Sequence, residues 1–209
     1  MAVVFLDIGH EVYIDGDVNA AVNEGVKKAY CGGYLRKSVL TPLTRVNTND
    51  NTPAVLHMRF TEGDKVRVTV APKGFGSENM SRLWMLKPAQ GEKGAIEAIV
   101  ETVRLAGANP CPPVVVGVGI GGTAESAMLL AKRQLLRSPL GAPSGEPLLA
   151  AMEKEALEKI NALHIGPMGL GGNTTALAVH IGATYTHLAG LPVAVNMQCH
   201  ACRHAEVLL

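Results

Sequence analysis

The stretch NPCPPVVVGVGIGGT, residues 109–123, decides how this chain is arranged. Proline fixes φ and cannot continue a sheet, so the three prolines predict that Cys111 lies in an extended, ordered loop. The β-branched run at residues 114–118 predicts a buried strand. The glycines after it open into an apolar-periodic helix at residues 124–137, whose N-terminus favours an anion. A thiol beside such a helix start indicates a functional site.

Composition narrows the class of protein. The chain has 209 residues, of which 47% are apolar, so one compact unit is expected at this length and two small ones are the alternative. Its 19 basic and 18 acidic residues nearly balance and only 4% are aromatic, which argues against a nucleic-acid interface. No apolar run reaches about 18 residues, and no charged segment precedes an apolar one, so neither a transmembrane helix nor a signal peptide is predicted. We therefore expect a cytoplasmic protein without membrane or nucleic-acid partners.

The order of helix and strand patterns predicts an α/β fold, specifically a mixed α+β domain with small sheets flanked by helices over residues 1–209. Strands are predicted at residues 2–8 and 114–118, residues 192–195 are a strand-like apolar run, and helices are predicted at 18–30, 92–106, 124–137 and 148–163. Alternating residues at 54–60 and 65–71 predict a β-hairpin. Ser77 or Asn79 is expected to cap a short helix that runs to about Leu86.

The glycine pattern has two interpretations. Residues 117–122 satisfy G-x-G-x-x-G between a strand and a helix, which is the dinucleotide fingerprint. No acidic residue ends a second strand about 20 residues later, as that fingerprint requires. The alternative is a glycine turn that packs a helix against a strand.

The cysteines offer three kinds of chemistry. Cys199-x-x-Cys202, with His200 and His204 beside it, permits a redox pair or a zinc site, although the spacing matches no standard finger. Cys111 and Cys199 are each interpreted as following an apolar strand-like run, so both are expected at the same edge of a core. Soft thiolates with an open position suit an iron–sulfur cluster, yet spacing alone does not separate this from inert buried cysteine.

Several other cysteine, histidine and basic residues are expected to have structural or surface roles rather than functional ones. Cys31 is expected to pack in a helix, and His180 and His187 to be hydrogen-bonded core or loop histidines. Without further context, Arg36 and Lys73 are expected to be surface cations.

Six blocks together resemble a known family: GYLRKSV, NTPAV, APKGFGSENMSRLWMLKPA, NPCPPVVVGVGIGGT, LGGNTTALAVHI and LPVAVNMQCHACRHAE. They are similar to the α subunits of class I iron–sulfur hydro-lyases, the fumarate hydratase and L-tartrate dehydratase α-chain family. The resemblance runs from about Met1 to Leu209 and is most specific in PKGFGSENMS and NPCPPVVVGVGIGGT.

The resemblance implies a [4Fe–4S] cluster on three cysteines. Two of them correspond to Cys111 and Cys199, and Cys202 is not required by the family. The third cysteine and the catalytic base of the family lie in a CQDTG-like motif just before the segment that matches residues 2–5. This chain lacks that motif, so we expect an N-terminal truncation or a misplaced start, no catalytic base in this chain, and an inactive chain when it is alone.

The resemblance also places substrate binding on Arg36, the backbone around Gly76, and His187. It implies reversible addition or loss of water on a small dicarboxylate, with fumarate and malate favoured over tartrate. A β subunit or C-terminal domain would complete the site in a hetero- or homo-oligomer. Two alternatives remain, a catalytically dead remnant unable to hold the cluster alone and a nucleotide-binding module.

Overall fold

A computed structural model describes all 209 residues. It contains eight strands and five α-helices, so the predicted α/β fold with small sheets flanked by helices is confirmed. In chain order these are β1 (Ala2–Gly9), α1 (Val18–Gly32), β2 (Val55–Thr61), β3 (Val66–Pro72), α2 (Phe75–Glu78), β4 (Arg82–Leu86), α3 (Gly91–Ala106), β5 (Val114–Gly122), α4 (Ala124–Gln134), α5 (Pro147–Asn161), β6 (Ala176–Thr186), β7 (Leu191–Gln198) and β8 (Ala205–Leu208). No helix is long and apolar enough to cross a membrane.

The chain divides into two compact units. The first comprises Met1–Lys73 with Arg203–Leu209, and the second comprises Gly74–Cys202. Each unit contains one four-stranded sheet. The assignment of residues 1–209 to a single hydro-lyase domain stays a prediction.

The sheet of the first unit has the order β2-β1-β3-β8. The predicted hairpin is wrong, because β1 lies between β2 and β3, parallel to the former and antiparallel to the latter. All eight residues of β1 are buried, and a strand buried on both faces takes a central position. The chain leaving β1 also holds the turn between β2 and β3, since His10 N–H donates to Thr61 O at 2.9 Å and Glu11 N–H to Gly63 O at 3.1 Å.

Helix α1 covers one face of this sheet. Asp17 caps it, as its sequence position indicates, by accepting a hydrogen bond from Ala20 N–H at 3.0 Å. Val26 and Tyr30 pack on the alternate residues of β1, whereas Cys31 is exposed on the solvent side, so the predicted packing role of Cys31 is wrong. Lys73 is also not a surface cation: it is only 5% exposed, and its backbone N–H donates to Met1 O just beyond β3.

The sheet of the second unit has the order β4-β7-β5-β6 and lies between helices. Helices α3 and α5 bury one face in the main hydrophobic core, and α4 packs on the other face. The predicted short helix to Leu86 ends at Glu78, and Arg82–Leu86 is a strand paired with β7. Tertiary contacts decide this, since Trp84 packs against the core and donates its indole N–H to Thr102 Oγ1 at 2.9 Å.

The glycines of residues 117–122 are part of β5 and not a phosphate-binding turn. A Cβ on Gly117 would lie 2.2 Å from Ala131 O, and one on Gly119 would lie 2.2 Å from Ala127 O. Both glycines therefore let α4 lie directly on the strand, which favours the packing interpretation over the dinucleotide one. Cys111 precedes β5 whereas α4 begins after it, so the thiol and the helix start lie at opposite ends of the strand and do not form the predicted site.

A buried polar cluster fastens the loop between α4 and α5 to the sheet. Glu153 accepts hydrogen bonds from Arg137, from Ile181 N–H at 2.7 Å and from Ser144 N–H at 2.8 Å. His180 is fully buried, as predicted; its Nδ1 donates to Gln134 O at 3.0 Å and its Nε2 accepts from Gly141 N–H at 3.1 Å. Burial lowers the pKa of His180, and the nearby Arg137 lowers it further, against the raising effects of the Gln134 carbonyl and Glu153.

The close approach of α4 to β5 predicts a large effect of one methyl group. Gly119→Ala should lower the free energy of unfolding by about 1–3 kcal/mol, because the added Cβ meets the backbone of α4. Gly145→Ala is the matched control, since nothing lies within 4 Å of its Cβ position. Urea unfolding of the two variants measures the difference, and equal stabilities would contradict the packing described.

The buried neutral His180 predicts a pH dependence of stability. Its folded pKa lies below the usual value of about 6.5, so the unfolded chain binds a proton first. The stabilisation that neutral His180 contributes is fully present above its unfolded pKa of about 6.5 and is lost as the pH falls through the folded pKa. Unfolding free energies of the wild type and His180→Gln, measured from pH 7.5 to pH 5, should show a flatter profile for the variant. Parallel profiles would show that His180 is not the titrating group.

Candidate functional site

Cys111 and Cys199 lie at the same edge of the second unit's sheet, as predicted, although for a different reason. Cys111 comes shortly before β5 and does not follow a strand, whereas Cys199 comes directly after β7. The two strands are antiparallel, with Val115 opposite Gln198, so the start of one strand meets the end of the other.

The two cysteine-bearing loops are joined by hydrogen bonds. Cys111 O accepts from His200 N–H at 3.4 Å and from the His200 ring Nδ1–H at 3.1 Å. Cys111 itself has a φ of +56°, in the left-handed region that few non-glycine residues adopt, so the predicted extended conformation is wrong. A turn at this position directs its carbonyl to the neighbouring loop.

A third segment, the turn Gly74–Glu78, reaches the same edge. A Cβ on Gly74 would lie 3.8 Å from Cys199 Sγ, and one on Gly76 would lie 3.3 Å from Asn109 O. The turn therefore contacts both cysteine-bearing loops through glycine backbone. The predicted Gly76 belongs to this convergence, which we call the cysteine edge: Gly74–Glu78, Asn109–Pro113 and Cys199–His200.

The thiols of the cysteine edge are partly exposed. Cys202 packs instead against Val115, Leu135 and Ala178. No group of three His, Cys, Asp or Glu side chains is arranged to hold a metal ion, so the zinc alternative at Cys199–His204 has no geometric support.

Cys111 and Cys199 meet part of the ligand requirement of an iron–sulfur cluster. Two soft thiolates at one partly exposed edge fit two of the cysteine ligands of such a cluster. Glycine at position 74 leaves the flank of Cys199 Sγ without a covering side chain. The fit extends to two ligands, because no third residue of a ligating type joins Cys111 and Cys199 in a metal-binding arrangement.

The other predicted substrate residues lie elsewhere. His187 is exposed in the loop between β6 and β7, at the opposite end of β7 from Cys199. Seven steps along that strand separate Leu191 from Gln198, roughly 24 Å at about 3.4 Å per residue. His187 lines a cleft of about 370 Å³ whose walls include Leu149, Met152 and Leu188. Arg36 is exposed in the loop after α1 in the first unit.

Sequence reasoning missed a charged cluster behind the turn Gly74–Glu78. Glu78 accepts hydrogen bonds from Lys132 Nζ of α4 and, at 3.3 Å, from Asn196 Nδ2 of β7. Asn196 is fully buried, and its Oδ1 has no hydrogen-bond partner. The sequence signal was slight: Glu78 lies inside a specific block, and Asn196 interrupts an apolar run.

Comparison with known proteins gives a consistent result. A sequence model of the family described as Fumarate hydratase (Fumerase) matches residues 1–208. A Methanocaldococcus jannaschii protein provisionally named L(+)-tartrate dehydratase subunit alpha is 45% identical, over 97% of this chain and 73% of its own length. The L(+)-tartrate dehydratase subunits alpha of Escherichia coli O157:H7 and strain K12 are 32% and 31% identical, over 98% of this chain and 69% of their own.

Proposed function

The chain belongs to the fumarate hydratase family, whose members are hydro-lyases, and we propose that it is the α subunit of an iron–sulfur L-tartrate dehydratase. The curated relatives carry the tartrate name, and this favours tartrate over the fumarate-to-malate reaction that the sequence motifs favoured. Hydration of fumarate to malate is the second candidate, supported by the family description. Both reactions exchange water on a small dicarboxylate.

The observation that carries this proposal is the cysteine edge. Cys111 and Cys199 are its two thiols, on loops joined through His200 and flanked by the glycine turn. In the proposed enzyme, Cys111 and Cys199 would be two of the residues that hold a [4Fe–4S] cluster. When bound, such a cluster supplies Lewis acidity at one iron for the hydroxyl group that leaves.

The chain's own residues would bind and orient the substrate carboxylates. Gly76 lies in the first turn of α2, where backbone N–H groups lack intrahelical acceptors and suit an anion. The guanidinium of Arg36 can grip a carboxylate bidentately, and His187 can donate to the same type of group. Because His187 and Cys199 lie at opposite ends of β7, a site that uses both needs another chain.

A partner subunit is part of the proposal. The relatives are named alpha subunits, which supports a β subunit that completes the site in an oligomer. The remnant alternative differs in one respect: it predicts no cluster and no turnover even with the β subunit present.

Kinetics of the assembled enzyme test the proposal. Co-expressed with its β subunit, extended through the CQDTG-like motif that the resemblance implies and assayed without oxygen, the enzyme should dehydrate L-tartrate with a higher kcat/KM than it shows for malate or fumarate. Arg36→Ala should raise KM by about tenfold or more, because a charge-assisted hydrogen bond contributes about 1.5–3 kcal/mol.

Lys27→Ala is the control, since it removes another exposed cation of the same unit. An enzyme inactive on every small dicarboxylate would contradict the function. An unchanged KM in Arg36→Ala would contradict the role of that residue, and a preference for malate would select the second candidate.

A further inference from the structure

We propose that Glu78 is a positioning residue, which clamps the turn Gly74–Ser77 beside Cys199 by binding Lys132 and Asn196. That this turn faces the substrate rests on the proposed function. The clamp itself rests on the contacts of Glu78, which links three elements of the second unit: α2, α4 and β7.

The turn has few internal means of holding its place. Helix α2 has only four residues, and Gly74, which precedes it, provides no side-chain cap. Within the turn, Ser77 Oγ and Glu78 N–H both donate to Gly74 O, at 3.1 Å and 3.2 Å. Both of these bonds lie within the turn, and attachment to the sheet needs a contact that reaches beyond it.

The Glu78 side chain supplies that attachment. Asn196 lies opposite Gly117 on the α4 side of the sheet, three residues before Cys199. Lys132 approaches from α4, which glycine backbone holds directly on β5. Glu78 thus joins the turn to the strand that carries Cys199 and to the helix packed on that strand.

The hydrogen bonds among Glu78, Lys132 and Asn196 favour a role in positioning the turn over a role in stabilising the fold. The side chains of Lys132 and Glu78 are only 19% and 21% exposed, so solvent screens the pair less than a surface pair. Asn196 donates to Glu78 yet leaves its own Oδ1 buried and unpartnered, which costs free energy. An apolar residue would avoid that cost but would not hold Glu78.

Hydrogen exchange and thiol reactivity of the full chain test the clamp without any cofactor. In Glu78→Gln, the amides of Glu78 and Asn79 should exchange about tenfold faster, because the charge-assisted bond to Lys132 is lost. Alkylation of Cys199 by iodoacetamide should accelerate relative to Cys111, since Gly74 moves away from its sulfur.

Matched variants exclude general effects of charge removal. Glu101→Gln breaks an exposed ion pair with Arg104 and should leave both readouts unchanged. Lys132→Met should reproduce the Glu78→Gln result. Lys132→Arg should keep the exchange and alkylation rates within about twofold of the wild type, because arginine keeps the charge. The lysine pair decides the question if the Glu78 variants do not fold.

The assembled enzyme separates this inference from the proposed function. Glu78→Gln should raise KM for the dicarboxylate more than it lowers kcat, with the cluster absorption unchanged. Unaltered exchange and alkylation in both Glu78→Gln and Lys132→Met would overturn the clamp, and a loosened turn with an unchanged KM would overturn its role in positioning the substrate. If the wild type turns over no dicarboxylate while the turn still loosens, the clamp stands and the proposed function fails.

Discussion

The antiparallel register of β5 and β7 is the constraint on which the second unit depends. Pairing Val115 with Gln198 sets the loop that precedes β5 beside the loop that follows β7, and so brings Cys111 and Cys199 to one edge. The same pair of strands forms the surface on which α4 lies, and Gly117 and Gly119 permit that approach. A slip of one residue would turn every side chain to the other face and would separate the two cysteine-bearing loops.

Two carboxylates in this unit, Glu153 and Glu78, are held by hydrogen bonds in different ways. Glu153 is almost fully buried, and both of its oxygens accept hydrogen bonds, from Arg137 and from backbone N–H groups, as expected of a structural group. Glu78 is less buried and is held in part by Asn196, which leaves its own oxygen unpartnered. The first cluster stabilises a loop, and the second accepts a local cost beside the cysteine edge.

Local sequence patterns predicted where helices and strands lie better than they predicted which strands pair. Periodicity located α1, α3, α4, α5 and the strands β1, β5 and β7, because burial dictates apolar spacing. The hairpin prediction was wrong because β1, which is distant in sequence, pairs between β2 and β3. The strand Arg82–Leu86 was not predicted because its pairing with β7 and the packing of Trp84 override local propensity. Of the site, the shared edge of Cys111 and Cys199 was predicted on the wrong premise that both follow strands, because the antiparallel pairing of β5 and β7 cannot be read from local patterns. The cluster around Glu78 joins residues up to 118 positions apart that carry no common pattern.

Cluster binding by the assembled enzyme shows whether Cys111 and Cys199 are ligands. Iron content and visible absorption should be measured after anaerobic reconstitution of the chain, extended through the CQDTG-like motif that the resemblance implies, with its β subunit, for the wild type and for single serine variants of the cysteines. We predict that Cys111→Ser and Cys199→Ser each abolish the stable cluster. Cys202→Ser alters a thiol packed against Val115 and Leu135 and should retain the cluster. A full cluster in either of the first two variants would contradict the assignment of the cysteine edge.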